Sequence, residues 1–150
     1  MLSKSTEYAM RALVFVQLCN WERKRPSVGE IAKEIEAPEA YTAKILQTLT
    51  RNKLLNSMKG RGGGFFFNEN QSSLTLYDVI HVVEGDACFH KCGFGLKQCN
   101  DDNPCPFHEK YKVLRDGFFE IVKSETIISL SEKILHGDAV LNRVIQTIKY

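Results

Sequence analysis

The chain has no long apolar run. Its longest, Ala9 to Cys19, is interrupted by Arg11 and Gln17 and falls well short of the about 20 residues that span a bilayer. No basic, apolar, small-residue sequence opens the chain, so no signal peptide is expected and the cytoplasm is the default compartment. With 43% hydrophobic and 25% charged residues, the composition excludes collagenous, mucin-like and wholly disordered classes. No internal repeat is visible. A length of 150 residues is enough for one domain with one core.

The small net charge of +2 hides an asymmetry. Residues 1–67 carry eleven Lys and Arg against six Asp and Glu, whereas residues 68–150 carry nine against twelve. The first half is therefore the candidate for a polyanionic partner. Four of the five cysteines, Cys88, Cys92, Cys99 and Cys105, fall within eighteen residues. In a reducing compartment such a group points to a metal or redox site rather than a disulfide framework. Cys19 lies near the apolar face of the first helical segment and is expected in the core.

Helical spacing of Ala9, Ala12, Leu13 and Val16 predicts a first helix from Ser3 or Ser5 to about Asn20. Ser27 with Glu30 reads as a capping box opening a second, with Val28, Ile31, Ala32 and Ile35 inward. Pro38 suits the first turn of a third helix running to about Lys53. Its buried stripe is expected at Tyr41, Ile45 and Leu49, with Thr42, Lys44, Gln47, Thr48 and Arg51 facing elsewhere. Leu54–Ser57 and Gly64–Asn68, joined by Lys59-Gly60-Arg61-Gly62-Gly63, read as a hairpin with a basic tip. Thr75 with Asp78 predicts another cap and helix, ended by Gly85. Residues 86–105 lack apolar periodicity and are expected as loop. From Pro106, a further helix carries Phe107, Tyr111, Leu114, Phe118 and Ile121 at alternating four- and three-residue spacing, a seam expected to meet a second copy. The tail from Asp138 to Tyr150 looks helical.

Three helices and a basic hairpin are the order of a winged helix-turn-helix. The fold class expected is mainly α with a small β-hairpin wing and a long C-terminal dimerisation helix. Lys44, Gln47, Thr48 and Arg51 would meet base edges and phosphates from the third helix, while Arg61 and Lys59 act from the wing. Lys53 would add sequence-blind attraction. A solvated helix face beside an ordinary hairpin has the same pattern, and a protein-interaction module is the bland alternative. The glycines do not make a nucleotide loop: the third glycine of the dinucleotide fingerprint is missing and no Gly-Lys-Ser/Thr follows. No nucleophile–His–acid pattern, H-E-x-x-H or paired-carboxylate loop supports an enzyme.

The segments Thr6-Glu7-Tyr8-Ala9, Val28-Gly29-Glu30-Ile31-Ala32, Tyr41-Thr42-Ala43-Lys44-Ile45-Leu46, Gly60-Arg61-Gly62-Gly63-Gly64-Phe65 and Leu74-Thr75-Leu76-Tyr77-Asp78-Val79-Ile80 follow in an order that resembles one family. So does Val83-Glu84-Gly85. Over residues 1–130 the chain is similar to the IscR/NsrR group of bacterial winged-helix transcription regulators, the Rrf-type family. The resemblance implies a homodimer on a near-palindromic DNA operator, with no membrane partner. It divides the chain into a DNA-binding domain (1–85), a cysteine-rich sensor loop (86–105), a dimerisation helix (106–130) and a tail (131–150).

In members that sense iron–sulfur status, nitric oxide or redox state, three cysteines lie between the Glu-Gly helix end and the dimer helix. Cys92, Cys99 and Cys105 occupy that place here, with six and five residues between them. The resemblance thus implies a [2Fe–2S] or [4Fe–4S] cluster on three thiolates, which suit iron as soft ligands. Branches of the family take the fourth ligand from a histidine just after the third cysteine or from an acid of the partner's first helix. His108 and Glu7 match these places. Cys88 is extra, as ligand, resolving thiol or bystander. His90 is an outside candidate, His81 a structural residue, and Glu7 also suits a helix start. A metal-free thiol switch or a zinc-stabilised regulator of the same fold is the alternative, although zinc would usually use a close C-x-x-C pair.

Overall fold

The computed structural model describes residues 2–71 and 73–143, with Asn70 as backbone only. Helix α1 (Lys4–Trp21) starts where the Ser3 hydroxyl accepts the Thr6 N–H at 3.1 Å. Its inner face, Ala9, Ala12, Leu13 and Val16, is fully buried. Helix α2 (Val28–Glu34) is capped by Ser27, whose hydroxyl accepts the Glu30 N–H at 3.2 Å and donates to the Glu30 carboxylate at 3.1 Å. The expected reciprocal bond therefore involves the Ser27 hydroxyl. Pro38 caps α3 (Glu39–Arg51) without a side-chain bond.

The buried stripe of α3 differs from expectation. It is Thr42, Ile45, Leu46 and Leu49, while Tyr41 is half-exposed. Thr42 can be buried because its hydroxyl donates to the Pro38 carbonyl at 2.9 Å, so no polar group is left unpaired. Strands β1 (Asn56–Met58) and β2 (Gly64–Phe66) are antiparallel, with Ser57 opposite Phe65. The hairpin is shorter and shifted relative to the expected strands, because Leu55 turns into the core.

Helix α4 (Leu76–Glu84) has the expected capping box of Thr75 and Asp78, and Gly85 closes it at φ 78°. The cysteine loop contains one short 3-10 turn, Ala87–Phe89. Helix α5 (His108–Ser124) begins two residues after Pro106, with Phe107 as its cap. It stops earlier than the dimer helix drawn from the sequence, and α6 (Ile127–Leu135) follows as a separate helix. The break is held by the segment before α4: Leu76 N–H donates to the Glu125 carbonyl and Ile127 N–H to the Leu74 carbonyl, both at 2.9 Å. Thr126 and Ser129 then cap α6 reciprocally, and the helix folds back onto α1. Residues 138–143 are not helical, contrary to the expectation for the tail; 144–150 lie outside the described residues.

Two cores result. The larger joins α1, α2, α3, Leu55, Phe67, Val79 and Ile127. The smaller, Ile80, Phe89 and Val122 with Leu2, Tyr77, Phe118 and Phe119 around them, supports the cysteine loop. Phe89 meets Phe118 and Phe119 at centroid distances of 5.7 and 5.1 Å. Phe118 therefore leaves the expected seam and packs inside its own chain.

The segment between α1 and α2 docks on the wing through one glycine. Phe65 N–H donates to the Pro26 carbonyl at 2.9 Å, and a Cβ on Gly64, at φ 141°, would stand 2.3 Å from the Arg25 carbonyl oxygen. Gly64→Ala is expected to cost about 2–3 kcal/mol, from backbone strain and the forced separation of these segments. Equilibrium urea unfolding measures it; wild-type stability would show that the approach is not needed.

Candidate nucleic-acid interface and cysteine loop

Helix α3 presents Lys44, Gln47 and Arg51 to solvent, with Thr48 half-buried between them. The Thr48 hydroxyl donates to the Lys44 carbonyl at 3.1 Å, which turns its oxygen back onto the helix. With Ser5, Tyr41, Ile45 and Val83 these four line a hollow of about 400 Å³. The Ser5 hydroxyl is hydrogen-bonded to the Tyr41 hydroxyl, and Tyr8 meets the Tyr41 ring edge-on at 5.7 Å. The start of α1 thereby braces the exposed side of α3.

The wing tip is open. Lys59 and Arg61 are exposed, Gly60 and Gly62 take positive φ of 89° and 73°, and Gly63 N–H closes the turn on the Gly60 carbonyl at 3.0 Å. Lys53 is also exposed, in the turn after α3 at φ 62°. Beside the wing the Arg25 guanidinium lies 4.0 Å from the Phe66 ring centroid and 3.2 Å from Met58 Sδ. Such a stack fixes a cation without removing its charge.

In the cysteine loop, Cys92 is buried, and Cys99 and Cys105 are half-buried. The sulfurs of Cys92 and Cys105 are 3.6 Å apart, and Cys99 Sγ is 3.4 Å from His108 Nδ1. His108 Nε2 meets Asp101 Oδ1 at 2.8 Å, and Lys112 Nζ binds the same carboxylate. The hydrogen bond from Lys112, and after it the one with His108, holds the Asp101 carboxyl below its usual range. Burial pushes the Cys92 thiol up, but the N–H groups of Leu96, Phe94 and Gly95 and the Cys105 side chain outweigh it and leave its pKa lowered. An amide pocket of this kind stabilises a thiolate.

Arg115 reaches the loop from α5. Its guanidinium donates to the Lys91 carbonyl at 3.2 Å, and the Cys99 side chain is the main cause that raises its pKa. Its Nε is buried with no hydrogen-bond partner, Asp116 Oδ1 being 3.7 Å away. The groups thus form two pairs, Cys92–Cys105 and Cys99–His108. Among the described residues, no three His, Cys, Asp or Glu side chains are set to hold one metal ion.

The family model for iron-dependent transcriptional regulators, Rrf2, matches residues 2–133. The chain belongs to the Rrf2 family. It is 33% identical over 130 residues to Protein aau3 of Rhizobium meliloti, covering 86% of this chain and 83% of that protein. It is 26% identical to the HTH-type transcriptional regulator NsrR of Oceanobacillus iheyensis, over 86% and 88% of the two chains. The solved structure of T. potens IscR superimposes with a TM-score of 0.71 at 18% identity, covering 93% of this chain and 92% of that one. The expected winged-helix fold and family are those found, and this Rrf2 protein is a transcriptional regulator. None of its described helices is long and apolar enough to cross a membrane.

Within this Rrf2 protein the remaining candidates are spread out. Glu7 is exposed on the first turn of α1, 3.5 Å from Lys4 Nζ. Cys88 packs against the small aromatic core, where burial raises its pKa. His90 is exposed near Asp86, and His81 is exposed and stacked on Tyr77. Cys19 is only half-buried, not a core residue, with its thiol pushed up to about 11, chiefly by burial. Two groups escaped the sequence: Arg115, seven residues after His108 on the inward face of α5, and the run Arg23-Lys24-Arg25. The second was visible as three adjacent cations, but not its place beside the wing.

Proposed function

We propose that the protein is a dimeric regulator that reads a DNA operator and senses iron–sulfur, nitric oxide or redox status through a cluster on Cys92, Cys99 and Cys105. The observation that carries this is the loop itself: three thiols and an imidazole in adjacent pairs beside the buried Arg115 Nε–H, which has no hydrogen bond and only a 3.7 Å ion pair to Asp116. A buried donor without an acceptor is costly, and sulfur atoms of a cluster would satisfy it. The donor chemistry fits, although bringing the two pairs onto one cluster requires the loop to adjust. His108 is the favoured fourth ligand, with Glu7 of the partner subunit and Cys88 behind it. Bound there, a cluster supplies redox and nitric-oxide chemistry; Arg115 and the amides around Cys92 hold the thiolates that carry it.

In this reading residues 1–85 contact DNA, through Lys44, Gln47, Thr48 and Arg51 in the major groove and Lys59 and Arg61 at the wing. Residues 86–105 sense, and α5 pairs with a second copy. Exposed Phe107 at the cap of α5 and exposed Val113, Leu114 and Ile121 along it support that pairing.

The test is anaerobic purification or reconstitution, with iron and sulfide assay, visible absorption and selection of binding sites from random duplexes. Colour, bound iron and sulfide, a recovered near-palindrome and an affinity that changes on cluster loss are expected. A colourless protein that binds zinc stoichiometrically, or one that only forms a Cys92–Cys105 disulfide under hydroperoxide, would replace the cluster while leaving the DNA reading intact.

A further inference from the structure

The DNA reading above accounts for the recognition helix and the two cations of the wing. It leaves unused the strongest run of positive charge in the chain, Arg23-Lys24-Arg25 between α1 and α2. All three residues are exposed. They are not a loose loop. Glu22 N–H, Arg23 N–H and Lys24 N–H all donate to carbonyls of the last turn of α1, at 2.9–3.0 Å, and Arg23 holds a positive φ of 58°. At the other end Arg25 is stacked on Phe66 and bonded to Met58, one residue on each strand of the hairpin, while Pro26 pairs with Phe65.

The loop is therefore tied to both strands of the wing. Between them lies a hollow of about 600 Å³, with the three cations on one side and Gly62 and Gly63 of the wing on the other. Glycines there leave room for a ligand to approach the backbone. Three acids lie nearby: Glu22, which pairs with Lys24 at 2.9 Å, Glu30, which accepts from the Ser27 hydroxyl, and Glu69, which lines a second hollow with the same three cations. With Lys59 and Arg61 on the same hairpin, five cations stand against these three acids, and the surface keeps a positive excess.

We propose that Arg23, Lys24 and Arg25 form a second phosphate-binding surface, which contacts the DNA backbone beside the groove entered by the wing. The inference rests on the DNA reading, and deepens it. Recognition by α3 sets sequence and Arg61 anchors the wing; this surface adds affinity without sequence information, because it offers flexible point charges and a stacked guanidinium rather than groups aimed at base edges. The Phe65–Pro26 backbone hydrogen bond and the Arg25 stack on Phe66 hold the loop backbone against β2, so that only the side chains are left to order on binding.

The experiment compares wild type, Arg23→Gln/Lys24→Gln and Arg61→Ala on the selected operator and on a scrambled duplex across a salt series. The double variant spares Arg25 and thus the packing of the wing; far-UV circular dichroism and the melting curve verify its fold. Each lost phosphate contact flattens the log–log salt dependence by about 0.9, so the double variant is expected to lose about 1.8 units of slope on both duplexes. Its ratio of operator to scrambled affinity should stay that of the wild type. Arg25→Lys, which keeps the charge and gives up the stack, should retain most of the slope. An unchanged slope in the folded double variant overturns the inference and leaves the DNA reading standing. A changed operator preference with unchanged slope also overturns it, in favour of base contact. A wild type that binds neither duplex at low salt overturns both.

Discussion

A protein carrying Leu114→Asp and Ile121→Asp together is expected to sediment as a single chain and to bind its operator at least about 100-fold more weakly than the wild type. Both side chains are more than half exposed, at 57% and 58%, so the exchange leaves the two cores of the protomer untouched. Between them on the same face stands Gly117, with open space above it. A glycine inside an exposed helix costs about 1 kcal/mol relative to alanine, which a close second helix would offset. Placing two carboxylates in that contact would force either their desolvation or the separation of the chains, and separation is by far cheaper. The loss of affinity follows from valency. In the proposed dimer, two recognition helices would reach half-sites about 34–36 Å apart, and the second would engage at the effective concentration set by the first. Analytical ultracentrifugation and operator titration read the two effects separately. A double variant that remains dimeric with full affinity would show that the α5 face is not the interface.

Elements whose signals are local were legible in the sequence. Ser3, Ser27 and Thr75 each cap a helix through a bond to the residue three positions on, and such bonds need nothing from the rest of the fold. The wing was legible because its turn needs glycines in sequence order. The buried face of α3 was misjudged at one position: Thr42 looks polar, but its hydroxyl is satisfied within the helix, whereas Tyr41 extends outward to meet Ser5. The end of α5 was missed for a related reason. Its successor is capped by Thr126 with Ser129 in place of the usual acid or amide, and the break is fixed by strand-like bonds to residues about 50 positions earlier. Pairing across such distance leaves no periodic trace.

In the cysteine loop, the sequence offered the donors but not their partners. Nothing in the spacing of Cys92, Cys99 and Cys105 says that the first and third meet while the second faces His108. That outcome depends on Phe89 anchoring the start of the loop in the aromatic core and on Gly93 lying against the Tyr111 ring, where a Cβ would come within 2.4 Å. The same packing links the cysteine loop to α3 through the start of α1. Leu2 touches the core beneath the loop, Ser3 N–H and Thr6 Oγ1 both donate to Glu84 at the end of α4, and Ser5 bonds Tyr41 of the recognition helix. The first turn of α1 thus contacts the small core, the end of α4 and α3, and on the proposed reading occupancy of the loop would act on α3 through these contacts. A bound group can shift that arrangement only by as much as it binds one form better than the other.

His108→Ala is therefore expected to bleach or labilise the reconstituted cluster, and Glu7→Ala to leave it intact. His108 is mostly buried inside the loop, with Nδ1 at Cys99 and Nε2 held by Asp101, the orientation that second-sphere carboxylates impose on ligating imidazoles. Glu7 is exposed and already meets Lys4, so its recruitment from a partner subunit would have to displace that pair. Cys92→Ser should be more severe than either, since it leaves the N–H groups of Phe94, Gly95 and Leu96 around a neutral hydroxyl instead of a thiolate. Asp101→Asn should be milder, weakening cluster retention about 10- to 100-fold by loosening the imidazole rather than removing a ligand. Iron and sulfide per chain, the visible spectrum and the rate of bleaching by a chelator order the four variants. If Glu7→Ala bleaches the protein while His108→Ala does not, the fourth ligand belongs to the first helix of the partner, and the cluster then bridges the dimer. If neither variant affects it, Cys88 is the remaining thiol within the segment, and Cys88→Ser decides.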